Sequence, residues 1–241
     1  MSAAHRNALK RSVFMAKNIK SVRSVTFDYF LILDFEATCD NTRKMHPQEI
    51  IEFPVLKLNS KTLETEAKFH RYIKPQVNPI LTPFCTELTG IIQDMVSNEA
   101  SLSEVLKDFD QWMIDNHLLQ SDNSFVFVTC GDWDLKMMSL LGIKLGILGL
   151  PDQCNHFNLE RKSYFSNWIN IKKIFAHSTS KWPRGLLSML EHYRLPHIGH
   201  HHSGIDDCLN IANIFRKLMN NGYQIQRTDI SHYQRTRPSQ Q

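Results

Sequence analysis

The chain reads as an α/β protein, a mixed five-stranded sheet flanked by helices in a single domain. Three observations predict this. Residues 27–33, broken only by Asp28, and 125–129 (FVFVT) are short apolar runs of the kind that strands buried on both faces show. Residues 49–58 and 63–73 look like two more strands, separated only by a turn at 59–62, which makes them antiparallel neighbours. Helical patterns at 101–119 and 204–219 alternate with these runs, and a short apolar stretch at 168–171 supplies the fifth strand.

In chain order, the first strand runs from Phe27 to Phe35 and gives way to a polar break, Cys39 to Gln48. Pro54 lies inside the second strand and predicts an edge position or a bulge there, because proline has no N–H to give a ladder. A short helix is predicted from Pro83 to Gly90, with proline at its start and glycine just past its end. The 101–119 helix opens on a capping box, Ser101 with Glu104, and lines up Leu102, Val105, Leu106, Phe109, Trp112 and Met113 on one face. After the FVFVT strand, residues 132–148 are mostly helical in pattern, and 151–167 lack periodicity and read as a loop. The strand at Trp168–Ile171 leads into a helix ending near Phe175, and another helix covers Arg184–Tyr193 after Pro183. In the last helix Ile205, Cys208, Leu209, Ala212, Phe215 and Met219 recur at helical spacing, and it stops near Asn220-Asn221-Gly222.

The 241 residues are 42% hydrophobic and 22% charged, ordinary for a globular domain, with no run approaching the ~18 apolar residues of a membrane span. Five scattered cysteines with no Cys-x-x-Cys pair support neither a disulfide scaffold nor a zinc ribbon, and point to a reducing, intracellular compartment, cytoplasm or nucleus. The charge of +4 is uneven. Residues 1–25 carry Arg6, Lys10, Arg11, Lys17, Lys20 and Arg23 and no acid; the remainder carries 22 basic against 24 acidic residues. A polyanion would therefore be gripped by local patches rather than by the whole surface. The basic tail fits a mitochondrial transit peptide, an arm on nucleic acid, or a solvated leader. The boundaries expected are a tail at 1–25, a domain at 26–226 and a second tail at 227–241.

Asp34 and Glu36 close the first strand. Two carboxylates two residues apart on an extended chain share a face, with Cα atoms about 6–7 Å apart. Such a pair resists joint ionisation unless a cation lies between its members. In open α/β sheets ligands gather at the carboxyl ends of the strands, so a divalent-metal site at this strand tip is the first expectation. Asp134 follows the FVFVT strand in Thr129-Cys130-Gly131-Asp132-Trp133-Asp134, and His202 and Asp207 stand five apart entering the last helix.

Asp-x-Glu, a later Asp, then His-x4-Asp resembles the signature of the DEDDh 3′–5′ exonucleases of the ribonuclease H-like superfold. The segments Asp34-Phe35-Glu36-Ala37-Thr38-Cys39, Glu49-Ile50-Ile51-Glu52-Phe53-Pro54-Val55, Leu88-Thr89-Gly90-Ile91, Gly131-x-Trp133-Asp134, Trp168-Ile169-Asn170-Ile171 and Gly204-Ile205-Asp206-Asp207 resemble the Eri-type exoribonucleases, over roughly residues 26–226. The stretch before residue 26 is too short for the N-terminal nucleic-acid-binding domain that some members carry, so the chain looks like the short, stand-alone members. The resemblance implies two Mg²⁺ ions, with Mn²⁺ able to substitute, held by Asp34, Glu36, Asp134 and Asp207, with His202 as general base. It implies a nucleic-acid partner, RNA or also DNA, attacked at its 3′ end to give nucleoside 5′-monophosphates. Hard oxygen ligands suit those ions, and imidazole titrates near neutral pH.

Each piece has a plainer reading. Asp132 or Asp134 can cap the helix that follows. The His197, His200, His201 and His202 cluster suggests zinc, but no cysteine stands at ligand spacing. His201 and Asp206 repeat the spacing of His202 and Asp207; only one aspartate can face the metals, and the glycine two residues after the histidine in the family pattern selects His202 and Asp207. Residues 160–184 hold six Lys or Arg among Tyr164, Phe165, Trp168 and Trp182, which suits a single strand through phosphate pairing and base stacking, or else places aromatics in the core and charges in solvent. Substrate contacts expected are Ala37, Thr38, Trp133, Lys172, Lys173 and Arg184. The rivals are an inactive nuclease fold that only binds nucleic acid, and an endonuclease of the same superfold.

Overall fold

The computed structural model of the protein describes residues 24–43, 45–136 and 149–232. The first buried run forms β1 (Tyr29–Leu33), which lies in the interior of the sheet. On one flank it pairs antiparallel with β3 (Ile50–Asn59), ending at Leu33 opposite Val55; on the other it pairs parallel with β5 (Phe125–Thr129). A two-residue strand, β2 (Glu36–Ala37), resumes pairing with β3 at Glu36 opposite Glu52. The far flank of β3 carries β4 (Thr65–Tyr72), and beyond β5 come β6 (Asn167–Asn170), parallel to it, and β7 (Ile230–His232), antiparallel. The mixed sheet thus has seven strands, the five predicted and two short ones.

Period-two alternation sorts the sheet's side chains into two apolar layers. Phe30, Ile32, Leu56, Val126, Val128 and Ile169 face one way, onto α5 (Ile171–Thr179), α6 (Leu186–Tyr193) and α7 (Gly204–Asn220). Leu31, Leu33, Phe53, Val55, Phe127 and Trp168 face the other, onto α3 (Leu102–Asp115), with Phe53 and Phe109 rings 4.7 Å apart. Burying both faces explains why these strands read as continuous apolar runs. The helix α1 (Pro83–Thr89) ends at Gly90 in the left-handed region, φ 75°, as its sequence predicts, and a four-residue helix, α2 (Asp94–Ser97), follows. Among the described residues no helix is long and apolar enough to cross a membrane.

Several expectations need correction. The first strand stops at Leu33: Asp34 and Phe35 are unpaired and β2 is a separate piece. Pro54 is not on an edge strand; it lies in β3 opposite that interruption, where a missing N–H falls between two stretches of ladder. Residues 151–167 are not a plain loop. They hold most of α4 (Leu150–His156) and a 3-10 turn at Ser163–Ser166, each too short to reveal a helical period. Residues 227–232 are not a tail, because β7 pairs along β6. Of the helix predicted at 132–148, residues 132–136 form bends and turns rather than helix, and the rest, like the basic tail up to residue 23, lies outside the described residues.

Candidate active site

The carboxyl ends of β1 and β5, adjacent and parallel, deliver the acids. Asp34 leaves β1 as pairing stops, and Glu36 follows on β2. The turn after β5 carries Asp134, whose Oδ1 accepts the Phe35 N–H at 3.0 Å, tying the two strand ends together. Asp132 is committed elsewhere, accepting from Trp168 Nε1 at 2.9 Å and lying 3.6 Å from Lys173 Nζ. The return of α7 adds His202 and Asp207.

That return depends on Gly204 and Glu52. A Cβ on Gly204 would stand 2.7 Å from the Asp34 carbonyl oxygen and 3.1 Å from Pro54 Cγ, so only glycine lets α7 start against the strand ends. Buried Glu52 accepts the Gly204 N–H at 2.8 Å and the Ile205 N–H at 3.2 Å, and its other contact is His70 Nε2 at 2.7 Å. A carboxylate on the first N–H groups of a helix answers its dipole and its orphan donors together.

Asp34, Glu36, Asp134, His202 and Asp207 all line one cavity of about 370 Å³, within the range of small-molecule sites. A ring nitrogen of His202 and carboxylate oxygens of Glu36 and Asp207 lie within 4.8 Å of one another. Asp206 turns away and accepts the His200 N–H at 2.8 Å, so Asp207 is the aspartate that reaches the cavity. Both His201 and His202 line it, with rings stacked 3.9 Å apart.

The electrostatics are those of a site built for a cation. Burial, then Asp134, Glu36, Asp207 and Glu52, hold the Asp34 carboxyl well above the usual range. Burial, then Glu52, Asp207 and Asp134, push Glu36 up to about 9. Burial raises Asp134 to about 6 against the opposing Phe35 hydrogen bond. Acids this crowded cannot all ionise unless positive charge joins them.

The expected substrate contacts divide. Ala37, Trp133 and Lys172 line the cavity. Thr38 does not: it is buried and its Oγ1 accepts the Glu49 N–H at 3.0 Å, fastening β2 to the start of β3. Lys173 donates to Ser231 Oγ at 2.9 Å on the β7 side, as neighbours on a helix point about 100° apart. Arg184 is exposed and outside the lining. Of the aromatics among the basic residues, Phe165 and Trp168 are core and Trp182 is 65% exposed. The reading of residues missed Glu52, Gln48, Cys130 and Leu88. For Glu52 the signal was an ionisable side chain inside an apolar strand, which has to be partnered.

An acid-lined cleft at adjoining strand ends, on a mixed sheet with a helix and the turn before it bringing Asp and His back to it, defines a ribonuclease H-like nuclease fold. The chain belongs to the exonuclease family whose model, described as "Exonuclease", matches residues 31–215. Its relatives there are Eri-type exoribonucleases. It is 52% identical over 203 residues to ERI1 exoribonuclease 3 of Homo sapiens, covering 84% of this chain and 57% of that protein. The chain thus spans little more than half the length of such relatives. Among solved structures, the nuclease domain of 3'hExo, a DEDDh family member bound to rAMP, superposes with a TM-score of 0.75 at 34% identity, covering 88% of this chain and all of that one. A 3′-exonuclease solved for 3′-end specific recognition of a histone mRNA stem-loop gives 0.73 at 32% identity, covering 90% and 95%.

Proposed function

We propose that the protein is a divalent-metal-dependent 3′–5′ exonuclease that shortens RNA from the 3′ end and releases nucleoside 5′-monophosphates. The observation that carries this is the meeting of Asp34, Glu36, Asp134, Asp207 and His202 in one cavity. The structural relative bound to rAMP and the one that recognises a histone mRNA 3′ end support the product and the polymer.

The residues present fit hard divalent cations. Four carboxylates converge without a thiolate cluster, and the raised proton affinities of Asp34, Glu36 and Asp134 are the penalty that Mg²⁺ or Mn²⁺ would relieve. Asp34, Glu36, Asp134 and Asp207 would hold two such ions. When bound, these supply charge for the scissile phosphate and lower the pKa of a coordinated water.

The chain's own groups do the rest. The His202 imidazole nitrogen facing Glu36 and Asp207 takes the proton of the attacking water. Burial and the neighbouring His201 and His200 lower the pKa of His202, against Asp207, so the neutral, accepting form prevails at neutral pH. Lys172 lines the cavity as a cation for the phosphate. Trp133 offers an aromatic face to the terminal base.

The test is a cleavage ladder. Purified protein receives 5′-labelled RNA and DNA, single-stranded or 3′-tailed, with free or blocked 3′ ends, in Mg²⁺ or in chelator. Expected are ladders retreating from free 3′ ends in Mg²⁺ alone, and none from the Asp34→Asn variant. Internal cuts in end-blocked RNA, or intact RNA throughout, would overturn the proposal.

A further inference from the structure

We propose that His197, His201 and Asp207 form a second metal site, selective for zinc, whose occupation draws Asp207 away from the nuclease centre. Donor atoms of the three residues lie within 4.8 Å of one another. His201 Nδ1 is 3.2 Å from Asp207 Oδ2. Two ligands of a tetrahedral zinc ion, each about 2.0–2.1 Å from the metal, stand about 3.3 Å apart. One edge of the coordination tetrahedron is therefore already in place. The His197 and His201 rings follow at 6.0 Å, close to perpendicular.

The loop that presents them is fastened. Ile198 exchanges two hydrogen bonds with the Asn210 side chain, both 2.9 Å, and the His200 N–H donates to Asp206. Gly199 adopts φ 66°, and a Cβ there would stand 2.1 Å from the Asp206 carboxylate, so this tight turn requires glycine. The histidines are held near Asp207 by α7 itself and need little ordering to bind.

Donor chemistry separates the two sites. Two imidazoles and one carboxylate, with a fourth position for water, suit zinc, whereas Mg²⁺ prefers the clustered carboxylates of the nuclease centre. Asp207 belongs to both groups, with His197 and His201 on one side and Glu36 and His202 on the other. A zinc ion held by His197 and His201 engages the carboxylate that the nuclease centre needs. His197 is exposed and does not line the cavity, so it reports on the second site alone.

Zinc binding stands on this geometry whatever the enzyme does; inhibition by zinc rests on the proposed nuclease activity. The probe is zinc sulfate with the full chain in excess Mg²⁺. Competition against a chromophoric chelator should show zinc binding weakened at least about tenfold in His197→Ala, and X-ray absorption should report imidazole ligands in the wild type. In RNA hydrolysis, the variant should match the wild-type rate without zinc and need at least about tenfold more zinc for half-inhibition. Equal zinc affinity in the two proteins, or thiolate coordination, overturns the site. Equal inhibition of both overturns the competition for Asp207. If the wild type hydrolyses no RNA, the affinity comparison still decides the site.

Discussion

His202 has a left-handed backbone, φ 68°, which costs a non-glycine residue about 1–2 kcal/mol. The cost is met locally: its N–H donates to Asp207 Oδ2 at 3.0 Å and its ring stacks on His201. The strained turn aims the imidazole at the acids. Replacing His202 with Ala should slow single-turnover RNA cleavage by about 10²–10⁴-fold, the usual worth of a positioned base. The rise in melting temperature on adding Mg²⁺ should persist, since the four carboxylates remain; its loss would make His202 a metal ligand instead. At this scale the convergence on one cavity was legible in the sequence from particular residue types: carboxylates at strand ends, then a histidine before a helix. Direction was less legible. Lys172 and Lys173 are adjacent and alike in sequence, yet only the rotation of α5 decides that one faces the cavity and the other Ser231.

The decisive element is the first turn of α7, docked on the ends of β1 and β3 by Gly204 and Glu52. Gly204→Ala would force the helix off the Asp34 carbonyl, which its Cβ would approach to 2.7 Å. The expected result is a loss of about 1–3 kcal/mol in denaturant unfolding, as for overpacking elsewhere. Cleavage should fall further than stability explains, because His202 and Asp207 move with the turn. A variant of full activity would mean that the helix start tolerates displacement. The long elements were legible: 101–119 and 204–219 carry several turns of periodic apolar residues, and α3 lies within the first while α7 runs one residue past the second. The short ones were not. α4 has seven residues and β2 two, too few for any period to show, and β2 exists only because β3 offers an open ladder past Val55. The tie from Glu52 to Gly204 spans 152 residues, which no local pattern encodes.

For the molecule as a whole, the acid cluster links stability to pH and to cations. Folded carboxyls with raised pKa values keep protons that the unfolded chain has released. Their stabilising contribution is complete below the ordinary carboxylate range and is lost as pH rises, through about 6 for Asp134 and about 9 for Glu36. Chelator-treated protein should therefore melt at falling temperature as buffer pH is raised from about 5 to 9 in calorimetry. Mg²⁺ should restore more at the alkaline end, where it has fewer protons to displace. A flat profile in chelator would mean that the cluster relaxes apart without metal.

The sheet has two outer rims, and they are guarded differently. The β4 rim carries exposed Glu66, Lys68 and Arg71, charges that discourage a foreign strand from docking. Among the described residues, the opposite rim is closed by the three residues of β7, laid along β6. A fragment trimmed after residue 226 would bare the polar backbone of β6 and invite edge-to-edge clumping. Recombinant boundaries drawn from the enzymatic core alone would thus yield poorly behaved material, for reasons unrelated to catalysis.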